Sequence, residues 1–390
     1  MVRFLIEFSK NPLIIFKIVY YSIVIIFCKL HGIKTIVYNL HYDYYFDLFQ
    51  STYKEISNNK KVKVFFSYWK QNKRLKKYLL KKVRRKYLIS HNISIFINFD
   101  LFITGDINGP DFPISLLKTK TVETYHGSGV YPLYPKKEVL NRFDIHFSIG
   151  PQFNEFINWT YKGKKNKPKV YNTGYPKLDI LLKQQDPLTE ELKRIYKIEN
   201  QPVLLYAPHW NSYGSLFLFY EELIEILVSF GYKVLIKPHN YIYFHYKEMK
   251  WEERLQKLED KFENVILVKR PNTQELYPLS DIMITDTGTT TALEYSILKK
   301  PVFVFRNDRW FANEIHTEVE KDIIDLAFCF SSLEELKKYL DLVINKKSEI
   351  KNELDTQKEK QEKLVAKYLY NLGSATEKSV KAVLKELDLS

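Results

Sequence analysis

Cysteine is almost missing: Cys28 and Cys329 are the two in 390 residues, far apart in the chain. That excludes a disulfide framework and a cysteine-based metal cluster, and it fits a reducing cytoplasm. Zinc-ligand spacings, an aromatic RNP-like signature and a recognition-helix pattern are also lacking, so nucleic acid is not an expected partner. No acidic cluster calls for a metal, and no cofactor is expected. The N-terminal apolar run has no small-residue cleavage site after it, which argues against a secretory signal.

What is present is basic and aromatic. Lys and Arg total 60 against 46 Asp and Glu, a net charge of +14, and basic residues concentrate at 60–85 and 162–169. Such a chain attracts polyanions, either anionic lipid headgroups or a phosphate-rich substrate. The 29 Tyr and 26 Phe are material for large cores, with a minority left for sites or lipid. A length of 390 residues suits two domains.

Pro12 to Leu30 reads PLIIFKIVYYSIVIIFCKL, apolar but for Lys17 and Lys29. The uninterrupted stretch 18–28 is shorter than the roughly 20 residues a bilayer demands. Two readings compete for it, a helix in the plane of an anionic membrane surface, gripped by lysines and the later basic run, or a helix buried in a core or a homo-oligomer contact, with a true membrane span as the third and least favoured.

Strands and helices then alternate. Short β runs at 35–40, 62–67, 99–104, 120–125 and 145–149 are separated by helical stretches at 44–57 and 68–87, predicting about six parallel strands in a doubly wound first half. A lysine-rich loop at 161–169 and the turn Asn172 to Pro176 follow. After Asp186-Pro187 a second alternation begins, with strands at 203–206, 233–236, 265–268, 282–285 and 302–305 and helices centred near Glu222, Leu255, Tyr295 and Leu336. The junction is expected near 181–200, and a charged tail from 348 to 387 predicts one or two helices. The expected layout is a packing or membrane helix over 1–31, an α/β domain over 32–185, a second over 186–347, and tail helices over 348–390 packing across both.

In open parallel sheets, ligands gather at the carboxyl ends of strands. Four segments occupy such ends. Thr124-Tyr125-His126-Gly127-Ser128-Gly129 offers an imidazole for proton transfer, or a histidine capping a tight turn. Tyr206-Ala207-Pro208-His209-Trp210 presents His209, Asn211 and Ser212, or plain turn chemistry. Ile236-Lys237-Pro238-His239 pairs a cation with an imidazole, suited to a diphosphate. Ser280 to Glu294 is a strand running through Asp286, Thr287, Gly288, Thr289, Thr290 and Thr291 into a helix. Its hydroxyls and N–H groups suit phosphate, or serve as N-caps, and Glu294 could reach ribose hydroxyls or a small polyol.

In this order and spacing, through ETYHGSG, FDIHFSIGPQFNEF, NTGYPKLDIL, LLYAPHW, LIKPHN and LSDIMITDTGTTTALEYSILKKPVFVF, the chain resembles the CDP-glycerol glycerophosphotransferases of teichoic-acid and capsule synthesis. The resemblance implies a GT-B-type fold, two Rossmann-like domains facing a cleft, and attack of an acceptor hydroxyl on the β-phosphorus of CDP-glycerol with release of CMP. By carry-over, His126 is the general base, His239 holds the donor diphosphate, Thr289 and Thr290 stand at a phosphate-binding Ser-Ser, and Glu294 stands where the family has Asp. Gly127, Ser128, Pro208, His209 and Lys237 join the donor-binding set. The acceptor implied is a lipid-linked saccharide or polyol phosphate at the cytoplasmic face of the membrane.

The chain departs from the family pattern at Tyr125 for Trp, Ser128 for Thr, His209 for Thr and Lys237 for Arg, and its hydroxyl turn is one residue longer before Glu294. A changed pocket could take ribitol phosphate, another polyol phosphate or a sugar. Two further readings remain: a glycosyltransferase or 2-epimerase using a UDP-sugar, and a non-catalytic polyanion- or membrane-binding protein.

Overall fold

The computed structural model describes residues 12–42, 44–69, 72–105, 118–129, 143–182, 187–270, 272–312 and 317–389. The chain forms two compact units. Unit 1 comprises the described residues within Met1–Gly127, Tyr134–Asp179 and Tyr370–Ser390; unit 2 comprises those within Ser128–Leu133 and Ile180–Leu369. The Asp186 turn at which the sequence predicts a fresh alternation lies outside the described residues.

Unit 1 carries a sheet of β1 (Lys34–Leu40), β2 (Val62–Tyr68), β3 (Leu88–Ser90), β4 (Leu101–Thr104), β5 (Lys120–Glu123), β6 (Ile145–Ser148) and β7 (Lys169–Asn172). Their order is β3-β2-β1-β4-β5-β6-β7 and every ladder is parallel. Strands covered by helices on both faces are buried on both, which is why β1 is buried along nearly its whole length rather than at alternate residues. Val37 pairs with Phe65 on one side and Phe102 on the other, all three in the core.

Unit 2 repeats the plan with β8 (Val203–Ala207), β9 (Lys233–Ile236), β10 (Val265–Leu267), β11 (Ile282–Asp286), β12 (Val302–Phe305) and β13 (Phe328–Phe330), ordered β10-β9-β8-β11-β12-β13 and parallel throughout. Ile284 sits between Tyr206 and Phe303, none of them exposed, and truncating such a side chain to Ala costs about 2–5 kcal/mol. Three strands escape the sequence reading: β3, β7 and β13. Each is a sheet edge of three or four residues, and β7 (KVYN) lies against the lysine-rich segment with most of its residues exposed. The basic helix expected over 68–87 is shorter, Lys73–Lys82, because Tyr68 still belongs to β2 and Val83 and Arg84 are extended.

The apolar N-terminal helix is continuous over Pro12–Leu30, and Lys17 does not interrupt it. Among the described residues it is the one helix long and apolar enough to cross a membrane, with mean hydropathy 2.2 over Leu13–Leu30. Ile14, Ile18, Tyr21, Val24 and Ile25 face a core cluster with Val37, Phe65 and Phe102, and Tyr21 Oη donates to the Leu88 carbonyl at 3.2 Å. The opposite face is equally apolar and open: Phe16 is 68% exposed, Ile23 60% and Leu30 79%.

The tail forms two helices, Lys351–Tyr368 and Ala375–Glu386, separated by a turn in which Gly373 takes φ +83°. The first packs in unit 2, where Gln357 bonds the Val302 and Leu326 carbonyls. The second belongs to unit 1, where the Glu386 carboxylate accepts from Lys120 and Lys169 at 2.9 Å and from Tyr171 at 2.5 Å. Those three donors hold its carboxyl down at about 2 in spite of burial, which works the other way.

Candidate active site

Each sheet reverses its winding once, and there two neighbouring strands send their following loops apart and leave a crevice. In unit 1 the reversal falls between β1 and β4; in unit 2 it falls between β8 and β11. The predicted residues divide between the two units.

In unit 1, β5 ends at Glu123 and Tyr125 takes a left-handed conformation, φ 57°, that costs a bulky side chain of order 1–3 kcal/mol. Its buried ring offsets this. Tyr125 lies against Phe153 at 4.5 Å and shares a 2.9 Å hydrogen bond with Nδ1 of His146, while its N–H donates to Glu123 Oε1. His146 is fully buried, and loss of hydration pushes its pKa down to about 3, so it is neutral. The kink at Tyr125 turns the next residue, His126, outward into solvent.

His126 is oriented through Nδ1, 2.6 Å from the Gly105 carbonyl at the end of β4. A carbonyl only accepts, so the proton sits on Nδ1 and Nε2 carries the lone pair. Tyr45 packs on the ring at 5.4 Å, and Tyr175 Oη donates to the His126 carbonyl at 2.9 Å. Within unit 1, no described residue hydrogen-bonds Nε2.

Unit 2 gathers the other segments on three adjacent strands. Pro208-His209 follows β8 and Pro238-His239 follows β9, and the two turns are joined by the His239 N–H to the Pro208 carbonyl, 3.3 Å. In each, the backbone N–H two residues on donates to the ring: Asn211 N to Nδ1 of His209 and Tyr241 N to Nδ1 of His239, both 3.2 Å. Nδ1 is therefore the acceptor and the proton lies on Nε2 in both. The rings are 6.4 Å apart; His239 is exposed and His209 half-buried. Loss of hydration lowers the His209 pKa to about 4, so it donates from Nε2 as a neutral ring.

Lys237 is buried, and its ammonium is held by the Pro238 carbonyl at 3.0 Å and Asn240 Oδ1 at 2.9 Å. Asp286, at the end of β11, accepts from the N–H of His209 at 2.7 Å and of Ser215 at 3.0 Å, tying the β8 turn to the helix Ser215–Ser229. Burial pushes its carboxyl up to about 6, against the pull of those donors.

Gly288 turns the chain with φ +81°, and three hydroxyls from the two sides of the turn converge. Thr285 Oγ1 donates to the Ala207 carbonyl at 2.8 Å and meets Thr289 at 3.2 Å and Thr291 at 3.1 Å, while Thr289 and Thr291 are 2.7 Å apart. Thr287 is buried, its N–H donating to the Phe305 carbonyl, whereas Thr289, Thr290 and Thr291 are half-exposed. The following helix is five residues, Thr291–Tyr295, and Thr290 makes no side-chain cap. A helix this short adds little dipole, which leaves the hydroxyls as the turn's main resource for an anion.

Glu294 is 2% exposed and fully engaged: Oε1 accepts from Ser128 at 3.0 Å, and Oε2 accepts from Gln274 at 2.6 Å and Tyr277 at 3.1 Å. This bond folds the Ser128-Gly129 segment into unit 2, where a Cβ on Gly129 would collide with the Thr290 methyl. Gly127 is the last residue of that stretch assigned to unit 1.

The sequence reading missed Gly105, Tyr45, Asn240 and the N–H groups of Asn211 and Tyr241. The last two had a signal in the Pro-His dipeptide repeated at the ends of adjacent strands. Among the described residues no group of His, Cys, Asp and Glu is arranged to hold a metal ion.

None of the curated proteins matches the chain by sequence. Solved structures share its fold. The wall teichoic acid polymerase TagF aligns with TM-score 0.66 at 16% identity over 92% of this chain and 90% of that one. A TagF variant soaked with CDPG gives 0.67 at 15%, over 99% and 98%. The S. aureus MnaA-UDP co-structure gives 0.60 at 15%, over 92% and 98%. The family model for CDP-glycerol:poly(glycerophosphate) glycerophosphotransferases matches residues 27–325, and the chain, a transferase, belongs to that family.

Proposed function

We propose that the protein transfers glycerol phosphate, or a related polyol phosphate, from a CDP-activated donor to a hydroxyl of a lipid-linked saccharide or growing polymer, releasing CMP. The observation that carries this reading is the opposite polarity of the imidazoles: His126 presents a lone pair at Nε2, His209 and His239 present protons there. A hydroxyl attacking phosphorus needs a proton acceptor, and a diphosphate needs donors for its oxygens.

In the step itself, His126 Nε2 takes the acceptor's hydroxyl proton and the oxygen attacks the β-phosphorus. The bond from that phosphorus to the bridging oxygen breaks, and the electron pair leaves with CMP. His209, His239, the Lys237 charge and the Thr289–Thr291 hydroxyls take up charge on the phosphate oxygens. Asp286 and Glu294 position the turns that carry them. The test is product mass spectrometry with purified protein, CDP-glycerol, CDP-ribitol and UDP-sugars, and a lipid-linked acceptor. A polyol-phosphate adduct with CMP is the expected result; UDP release from a UDP-sugar alone overturns the reading.

The same reaction on a lipid-linked acceptor calls for residence at the cytoplasmic membrane surface. Support comes from the open apolar face of Pro12–Leu30, while on the opposite face the Tyr21–Leu88 bond ties the helix to the strand that directly follows Arg84-Arg85-Lys86. Phe16→Glu with Phe27→Glu, both on the open face, should move the protein from anionic vesicles to the supernatant in flotation. Unchanged flotation removes the membrane surface from the proposal.

A further inference from the structure

Unit 1 has its own crevice, at the reversal between β1 and β4, and part of its wall is unused by the chemistry above. The β4 side ends at Gly105, the carbonyl that orients His126. On the β1 side, rings run in an unbroken row away from His126. Tyr45 is 5.4 Å from His126, His41 is 6.2 Å from Tyr45, Trp69 is 5.1 Å from His41, and His91 stacks on Trp69 at 4.8 Å and 10°. Tyr45 and His91 are buried beneath, while His41 and Trp69 are half-exposed at the rim.

This row is built on a polar support. Asn39, the penultimate residue of β1 and fully buried, donates from Nδ2 to Nε2 of His41 and accepts at Oδ1 from Nδ1 of His91, both at 3.0 Å; Ser67 Oγ donates to the same Oδ1 at 3.0 Å. One amide thus fixes the proton on Nδ1 of both imidazoles. A core needing only bulk would fill the ends of β1 to β3 with aliphatic side chains; a buried amide dedicated to orienting two rings is costly unless their direction matters.

We propose that this row is the subsite for the acceptor's saccharide. The row combines aromatic faces with two imidazoles held in fixed tautomers, and none of its five side chains is Lys or Arg, although the basic helix Lys73–Lys82 begins beside it at Asn72, whose Nδ2 donates to the His41 carbonyl. That is the chemistry of a neutral, hydroxyl-rich ring rather than of a phosphate. A sugar lying along His41 and Trp69 brings a terminal hydroxyl toward Tyr45 and His126 Nε2. The assignment rests on the transfer reaction proposed above for the meaning of "acceptor", but the binding itself does not need the donor.

The test is saturation-transfer NMR on the full-length protein with octyl β-N-acetylglucosaminide, without any nucleotide. Sugar-ring protons should receive saturation, and inorganic phosphate should not displace the ligand. His41→Ala and Trp69→Ala should each weaken binding about tenfold, while Trp69→Phe retains a ring and loses less. Equal signals in His41→Ala, Trp69→Ala and the native protein, confirmed folded by circular dichroism, would overturn the subsite, as would displacement by phosphate. Saccharide binding without CMP release from CDP-glycerol sinks the transfer reading and leaves the subsite standing; CMP release without saccharide binding does the reverse.

Discussion

His126 in unit 1 and the Pro-His pair in unit 2 hold the same side chain in opposite tautomers. A carbonyl faces Nδ1 of His126; an N–H faces Nδ1 of His209 and of His239. A single main-chain atom therefore decides whether Nε2 offers a lone pair or a proton. The tautomer is set by the turn that holds the ring, and not by the ring.

The sharpest break of this contrast is His126→Gln. Glutamine can donate but is no base, so transfer should fall by about 10³-fold, within the range for losing general-base catalysis, with CDP-glycerol affinity unchanged by calorimetry. At His239 the same substitution should do less harm. His239→Ala should weaken CDP-glycerol binding by about 10- to 100-fold, and His239→Gln, which restores an N–H, should recover part of it. If glutamine rescues neither position or both, the two polarities are not what separates them.

Acid should also tell the units apart. His146 is neutral when folded, with a pKa of about 3 against 6.5 unfolded, so its contribution is complete above pH 6.5 and is lost as pH falls toward 3. The loss approaches about 1.4 kcal/mol per pH unit in that window. Glu386, held at about 2, adds to it below pH 4.5. In unit 2, His209 loses stability in the same direction, but Asp286, raised to about 6 from 3.8, contributes the opposite way and gains as pH falls through 6. Hydrogen exchange at pH 4.5 should show unit 1 amides losing protection before those of unit 2; parallel loss would contradict the offset. The smallest effect is expected at the hydroxyl turn, where Thr291→Val removes one donor of three and should weaken donor binding by about fivefold, read as a rise in KM for CDP-glycerol.

The sheets were largely legible because parallel strands covered on both faces must be apolar throughout, as in VLLYA of β8 and VFVF of β12. The edge strands β3, β7 and β13 were not, being too short for any period and, for KVYN, too exposed to need apolar residues. Strand-end placement singled out His126, His209, His239 and the Thr289–Thr291 turn as candidates. Their proton positions stayed hidden, since these depend on Gly105, Asn211 and Tyr241 through backbone atoms that every residue shares. Glu294 shows the reverse case: it looks like a ligand-binding acid in the sequence, yet Ser128, Gln274 and Tyr277 already occupy its oxygens.

The clasp of Lys120, Lys169 and Tyr171 on Glu386 has a bearing on synthesis as well as on stability. Unit 1 is begun first, but the helix Ala375–Glu386 that completes it is made only after every residue of unit 2 has been translated. On the ribosome the order of folding is therefore inverted: unit 2 can close around its own core while the older half of the chain still waits, with its sheet ends uncovered, for the last helix to arrive.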